Sequence, residues 1–104
     1  MSKVYVVQEN NHVDYSDAER FGELVFITNS ELKPISGSII NERIVSDLGF
    51  HLKNYSANDF LVLTGNPATI GLAFHYAARA SESVNVLMWD KIHGRYKHLK
   101  IEVR

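Results

Sequence analysis

The chain has no cysteine among its 104 residues, so disulfides are excluded as a source of stability, and so are a thiol nucleophile and a Cys-containing zinc site. It also has no apolar stretch approaching the length of a membrane span. The opening MSKVYVVQENN carries one lysine and an apolar run too brief for a signal peptide, so the expected compartment is the cytoplasm. No internal repeat or low-complexity tract is visible, and the net charge is only −1.

What is present is ordinary globular composition, 45% hydrophobic and 22% charged residues, which argues against disorder. A chain of this length supports one core, and residues 1–104 are read as a single domain. The small net charge hides an asymmetry. Residues 1–60 hold nine Asp/Glu against five Lys/Arg, a balance of −4, and residues 61–90 add −1. Residues 91–104 carry Lys91, Arg95, Lys97, Lys100 and Arg104 against Glu102, a balance of +4, with His93 and His98 besides. A basic segment follows an acidic body.

The continuous apolar runs Val4–Val7, Leu24–Ile27 and Phe60–Leu63 predict strands over 3–8, 23–28 and 60–63, and Val84–Trp89 predicts a fourth. Between the first two, Ser16 and Glu19 fit a capping box, and Gly22 is expected to stop the short helix they open. The connection from Glu9 to Gly22 is long enough for a parallel crossover. After a loop over 29–37, Ile40, Ile44, Leu48 and Leu52 form a helical stripe over about residues 38–54, with Ser38 as its cap. Gly49 inside it implies either a close approach or an early end. Asn66 and Pro67 cap and open a further helix whose inner face is Ile70, Ala73, Phe74, Ala77 and Ala78. Residues 95–103 alternate, predicting an edge strand with Leu99, Ile101 and Val103 inward and Tyr96, His98, Lys100 and Glu102 outward. The expected fold is α/β: a mostly parallel five-stranded sheet with a C-terminal antiparallel hairpin and two to three helices, strands one and three central and strand five at an edge.

Two stretches are candidate sites. Thr64, Gly65, Asn66 and Thr69 stand at a helix start beyond the carboxyl end of a strand, where a nucleotide or other anion collects in open parallel sheets. The turn is no G-x-G-x-x-G and lacks the Lys-Ser/Thr of a P-loop, and Asn66 is equally accounted for as a plain cap. The hairpin offers Lys91, His93, Arg95, Tyr96, Lys97, His98 and Lys100, a basic ribbon able to meet a protein, nucleic-acid phosphates with Tyr96 as a platform, or the acidic face of a second copy. Charges on an edge strand also serve simply to keep edges apart. The remaining histidines assemble no metal or catalytic constellation: His12 and Asp14 lack a third ligand, and His75 with Arg79 reads as a polar flank. Trp89-Asp90 reads as a core or rim indole followed by a turn-initiating aspartate.

The segments KVYVVQE, DYSDAERFGELVFI, DFLVLTGNPATIGLAF and WDKIHGRYKHLKIEV together resemble small proteins of tailed-phage genomes. The resemblance covers nearly the whole chain, carries over no activity or functional residue, and implies an accessory protein acting inside a bacterial host. The expectation is a non-enzymatic, cofactor-free interaction module, a homodimer, that binds a macromolecule through the basic hairpin; the rival is an anion-binding protein using the Thr64–Thr69 turn.

Overall fold

A computed structural model describes residues 2–104. In chain order they form β1 (Lys3–Gln8), a 3-10 segment (Ser16–Arg20), β2 (Glu23–Thr28), α1 (Ile39–Leu52), β3 (Phe60–Val62), α2 (Pro67–Ala80), β4 (Ser83–Asp90) and β5 (Arg95–Glu102). The strands lie side by side as β2-β1-β3-β4-β5. All neighbours are parallel except β4 and β5, which form the antiparallel hairpin. β1 and β3 are interior and β5 is an edge, as the apolar runs and the alternation predict.

The order fixes what covers each face. The chain steps one way from β1 to β2 and the other way through β3 to β4, and right-handed crossovers then put the first connection on the face opposite the two helices. Two buried clusters follow. Tyr5, Val7, Leu61, Val84 and Val86 pack under Ile44, Leu48 and Leu52 of α1 and Ala73 and Ala77 of α2. On the other face, Val4, Val6, Val62 and Leu87 pack under Tyr15 and Ala18. β1 is therefore buried on both sides, which is why its apolar run does not alternate.

The helix ends follow from their capping residues. Ser38 accepts from the Asn41 amide at the start of α1, and Asn66 accepts from the Thr69 amide at the start of α2 with Pro67 in the first turn. Gly49 does not end α1; a Cβ there would lie 3.5 Å from the Tyr76 ring of α2, an ordinary contact, so the glycine marks the flank on which the two helices meet.

Four local expectations are corrected. The segment after Tyr15 is a 3-10 turn in which Ser16 caps nothing; Asp14 Oδ1 instead accepts the Ser16 amide at 2.9 Å, an Asx turn. Gly22 is required because a Cβ would sit 2.5 Å from the Ser2 carbonyl oxygen, not because it ends a helix. Ile40 stands 60% exposed at the rim of the α1 stripe. In β5 the two faces alternate as expected, with Ile101 and Val103 against the helix-side core, but exposure does not follow them: Tyr96 is 4% exposed and Leu99 is 47% exposed. The reason is that the 3-10 segment reaches β5 and covers Tyr96, while α2 stops short of Leu99.

A buried polar knot joins the elements. The Tyr55 hydroxyl donates to the Asp59 carbonyl and accepts the Asn85 amide, and the Asn85 side chain donates to the carbonyls of Ala57 and Asp59. Asp59 itself accepts from the amides of Lys3 and Ser56. Among the described residues no buried side-chain polar atom lacks a partner, as a low-dielectric interior requires.

Candidate functional site

The difference in length between β3 and β4 shapes the surface. β3 ends at Val62, paired with Leu87, so Met88, Trp89 and Asp90 run on with only β5 beside them. The turn that follows is built on Asp90. Its Oδ1 accepts the Ile92 amide at 3.0 Å and its carbonyl accepts the Gly94 amide at 2.8 Å, while Gly94 takes the positive φ of 62° that the tight return demands.

The charges of the hairpin are partly compensated. Asp90 Oδ2 meets Lys97 Nζ at 2.8 Å and the His93 ring nitrogen beside it. The Lys97 and His93 contacts hold the Asp90 carboxyl down to about 2. Lys100 lies 3.4 Å from Glu102. Lys91 and Arg95 have no ion-pair partner among the described residues. His98 is turned inward, its Nε2 2.8 Å from Asn85 Oδ1 and its ring edge-on to Phe60.

Tyr96 is engaged rather than displayed. Its amide donates to Asp17 Oδ2 at 2.7 Å and its carbonyl accepts from Arg20 at 2.8 Å, and the Arg20 guanidinium also grips both oxygens of Asp17. The Arg20 contact, then the Tyr96 amide, keep the Asp17 carboxyl below its usual range. The exposed aromatic is Trp89, 49% exposed and edge-on to the Tyr96 ring at 5.0 Å. On the opposite face of the hairpin Met88 and Leu99 are about half exposed, and Ile92 at the tip is 89% exposed. Sequence reasoning leaves Trp89 as a core or rim indole without a role; the signal that finds it is the number of β4 residues beyond the end of β3, which is known only once the strands are paired.

A cavity of about 1090 Å³ opens at the carboxyl end of β3, between the His12–Asp17 loop and the projecting hairpin. Thr64, Leu87, Trp89, Tyr96 and Leu99 contribute to its walls. It thus brings Thr64 into one lining with His12 and Asp14 of the first crossover. The Asp14 carboxyl is held below its usual range by the Ser16 backbone contact. Among the described residues no three His, Cys, Asp or Glu side chains gather as a metal would require.

The Thr64–Thr69 turn is spent on internal contacts. Thr64 donates to the Gln8 carbonyl at 2.7 Å. Asn66 Oδ1 accepts both the amide and the hydroxyl of Thr69, and Asn66 Nδ2 donates to the Leu32 carbonyl at 2.9 Å. Thr69 is fully buried. Gly65, at φ 125°, lies under the Gln8 side chain so closely that a Cβ would stand 2.6 Å from Gln8 Oε1. This is the point where the strand order reverses between β1 and β3, the usual place for a ligand in such sheets. Gln8 fills it, and the His12 loop does not.

No helix among the described residues is long and apolar enough to cross a membrane. No curated protein and no solved structure matches the chain. The family described as Phage Pam3 gp32-like protein matches it over residues 2–103. With nearly every residue inside that match, the chain belongs to the Phage Pam3 gp32-like family.

Proposed function

We propose that this protein is a non-enzymatic phage accessory module that docks a macromolecular partner through its β4–β5 hairpin. The observation that supports the reading is the projection of β4 beyond β3, which leaves Trp89 exposed on one face of the hairpin, Met88 and Leu99 on the other and Ile92 at the tip, with Lys91 and Arg95 lacking an ion-pair partner among the described residues. A half-exposed tryptophan on a hairpin that also exposes aliphatic side chains and an arginine has the composition of an interaction hot spot. A protein with an acidic rim around an apolar knob or recess fits it better than nucleic acid, because Lys97 and His93 are drawn onto Asp90 and the rest of the chain is acidic, which opposes phosphate binding.

The test compares the wild-type chain with Trp89→Ala and with the combined Lys91→Ala, Arg95→Ala, Lys97→Ala and Lys100→Ala variant. Host and phage proteins retained by each are identified, and DNA and RNA oligonucleotides are titrated at two salt concentrations. Loss of the retained protein in both variants supports the reading. Binding of every partner at full strength and unchanged salt dependence by both variants overturns it, and nucleic acid retained with a steep salt dependence moves the partner class instead. The anion reading of Thr64, Gly65, Asn66 and Thr69 stands second, since it requires Gln8 to leave its place over Gly65.

A further inference from the structure

The two edges of the sheet are treated differently. β5 carries Lys97, Lys100 and Arg95, and the Asp17–Arg20 pair covers the outward amide and carbonyl of Tyr96. β2, with the sequence ELVFIT, has no lysine and no proline, and among the described residues no segment covers it, so the devices that protect an edge are missing there. The Glu23 amide points inward to the Ser2 carbonyl. By the alternation of a strand, Leu24 and Phe26 therefore turn their N–H and C=O groups outward. Phe26 is 42% exposed beside them.

Above this edge runs the flank of α1 that faces away from α2. A groove of about 510 Å³ lies between the end of β2, from Phe26 to Thr28, and Ile40, Arg43 and Asp47, so Arg43 and Asp47 stand beside that end of the strand. They sit four residues apart, yet neither has an ion-pair partner among the described residues.

We infer that the β2 edge is where a second copy of this chain pairs, antiparallel, to make one continuous ten-stranded sheet. A two-fold axis perpendicular to the sheet at Val25 puts Leu24 opposite Phe26 of the second copy, and the reverse, so that the outward amides and carbonyls of both strands are satisfied. The same axis sets the two α1 helices side by side and antiparallel. Arg43 then faces Asp47 of the second copy and Asp47 faces its Arg43. One charge pattern that is unpaired in a single chain is self-complementary about the axis the strands require. The hairpin lies at the opposite edge and stays free, so this pairing stands independently of the docking reading.

The intact chain is studied by sedimentation equilibrium and light scattering over a wide range of concentration. The wild type is expected to be a dimer. Arg43→Asp alone, or Asp47→Arg alone, sets like charges opposite each other twice per interface and is expected to weaken the dimer at least about tenfold. The combined Arg43→Asp, Asp47→Arg variant restores the complementarity with signs exchanged and is expected to regain most of the affinity. A wild type that is monomeric at the highest concentration, single reversals that leave the dimer intact, or a double variant no better than its parents overturns the inference. So does a dimer dispersed by the four-residue hairpin variant. Circular dichroism of each single variant distinguishes a dissociated fold from an unfolded chain.

Discussion

His98 Nε2 lies 2.8 Å from Asn85 Oδ1, diagonally across the β4–β5 ladder. Because both Asn85 amide hydrogens go to the carbonyls of Ala57 and Asp59, the remaining oxygen can only accept, and His98 must carry its proton on Nε2. The last strand is thereby tied to the loop that leads into β3. Replacing Asn85 by Leu removes a donor from the Ala57 and Asp59 carbonyls and the acceptor from His98, and a loss of about 1–3 kcal/mol is expected. His98→Phe keeps the ring against Phe60 and removes one bond, with an expected loss of about 0.5–1.5 kcal/mol. Urea midpoints at unchanged slope measure both; equal losses from the two would contradict the assignment of Asn85 as the hub.

Burial pushes the Tyr55 hydroxyl up to about 12, with the nearby Asp59 charge adding to the rise and the Asn85 amide opposing it. An acid raised in the folded state keeps its proton longer there than in the unfolded chain. Its contribution to stability is complete below pH 10 and is lost as pH rises from 10 towards 12. Thermal unfolding across that window should fall more steeply for the wild type than for Tyr55→Phe. Parallel slopes would show that Tyr55 titrates like a free phenol.

At Gly65 the positive φ and the Gln8 side chain act together. Gly65→Ala is expected to cost about 1–3 kcal/mol. Gln8→Ala should not rescue it, because Gln8 Cβ alone would remain 2.7 Å from the new methyl. Chemical denaturation of the two single variants and the double variant checks this, and recovery of the wild-type midpoint in the double variant would count against it.

The Asp90 carboxyl, lowered to about 2 by Lys97 first and then His93, works in the opposite direction. A depressed folded-state value stabilises the turn above the ordinary value of 3.8, and the benefit is lost as pH falls from there through about 2. The difference in melting temperature between wild type and Asp90→Asn should shrink over that interval. A difference that persists to the acid limit would place the role of Asp90 in its backbone contacts alone.

The local part of this fold is legible because its signals are local. Ser38, Asn66 and Pro67 mark helix starts through contacts three residues long, and the unbroken run Val4–Val7 announces a strand covered on both faces. The candidate site depends on distances that sequence does not carry. Asp17 meets Tyr96 across 79 positions, and with that contact unseen the alternation of β5 assigns Tyr96 to solvent. Trp89 gains its exposure from the shortness of β3, and Gly65 its burial from Gln8, whose sequence neighbours say nothing about where its side chain lies.

The grip of Asp17 and Arg20 on Tyr96 also bears on how the chain is made. During synthesis the first crossover leaves the ribosome early and β5 follows every other element. The cluster that holds Val4, Val6 and Ala18 therefore lacks one of its members until Tyr96 arrives. A nascent chain stalled before Arg95 holds an apolar face open to aggregation.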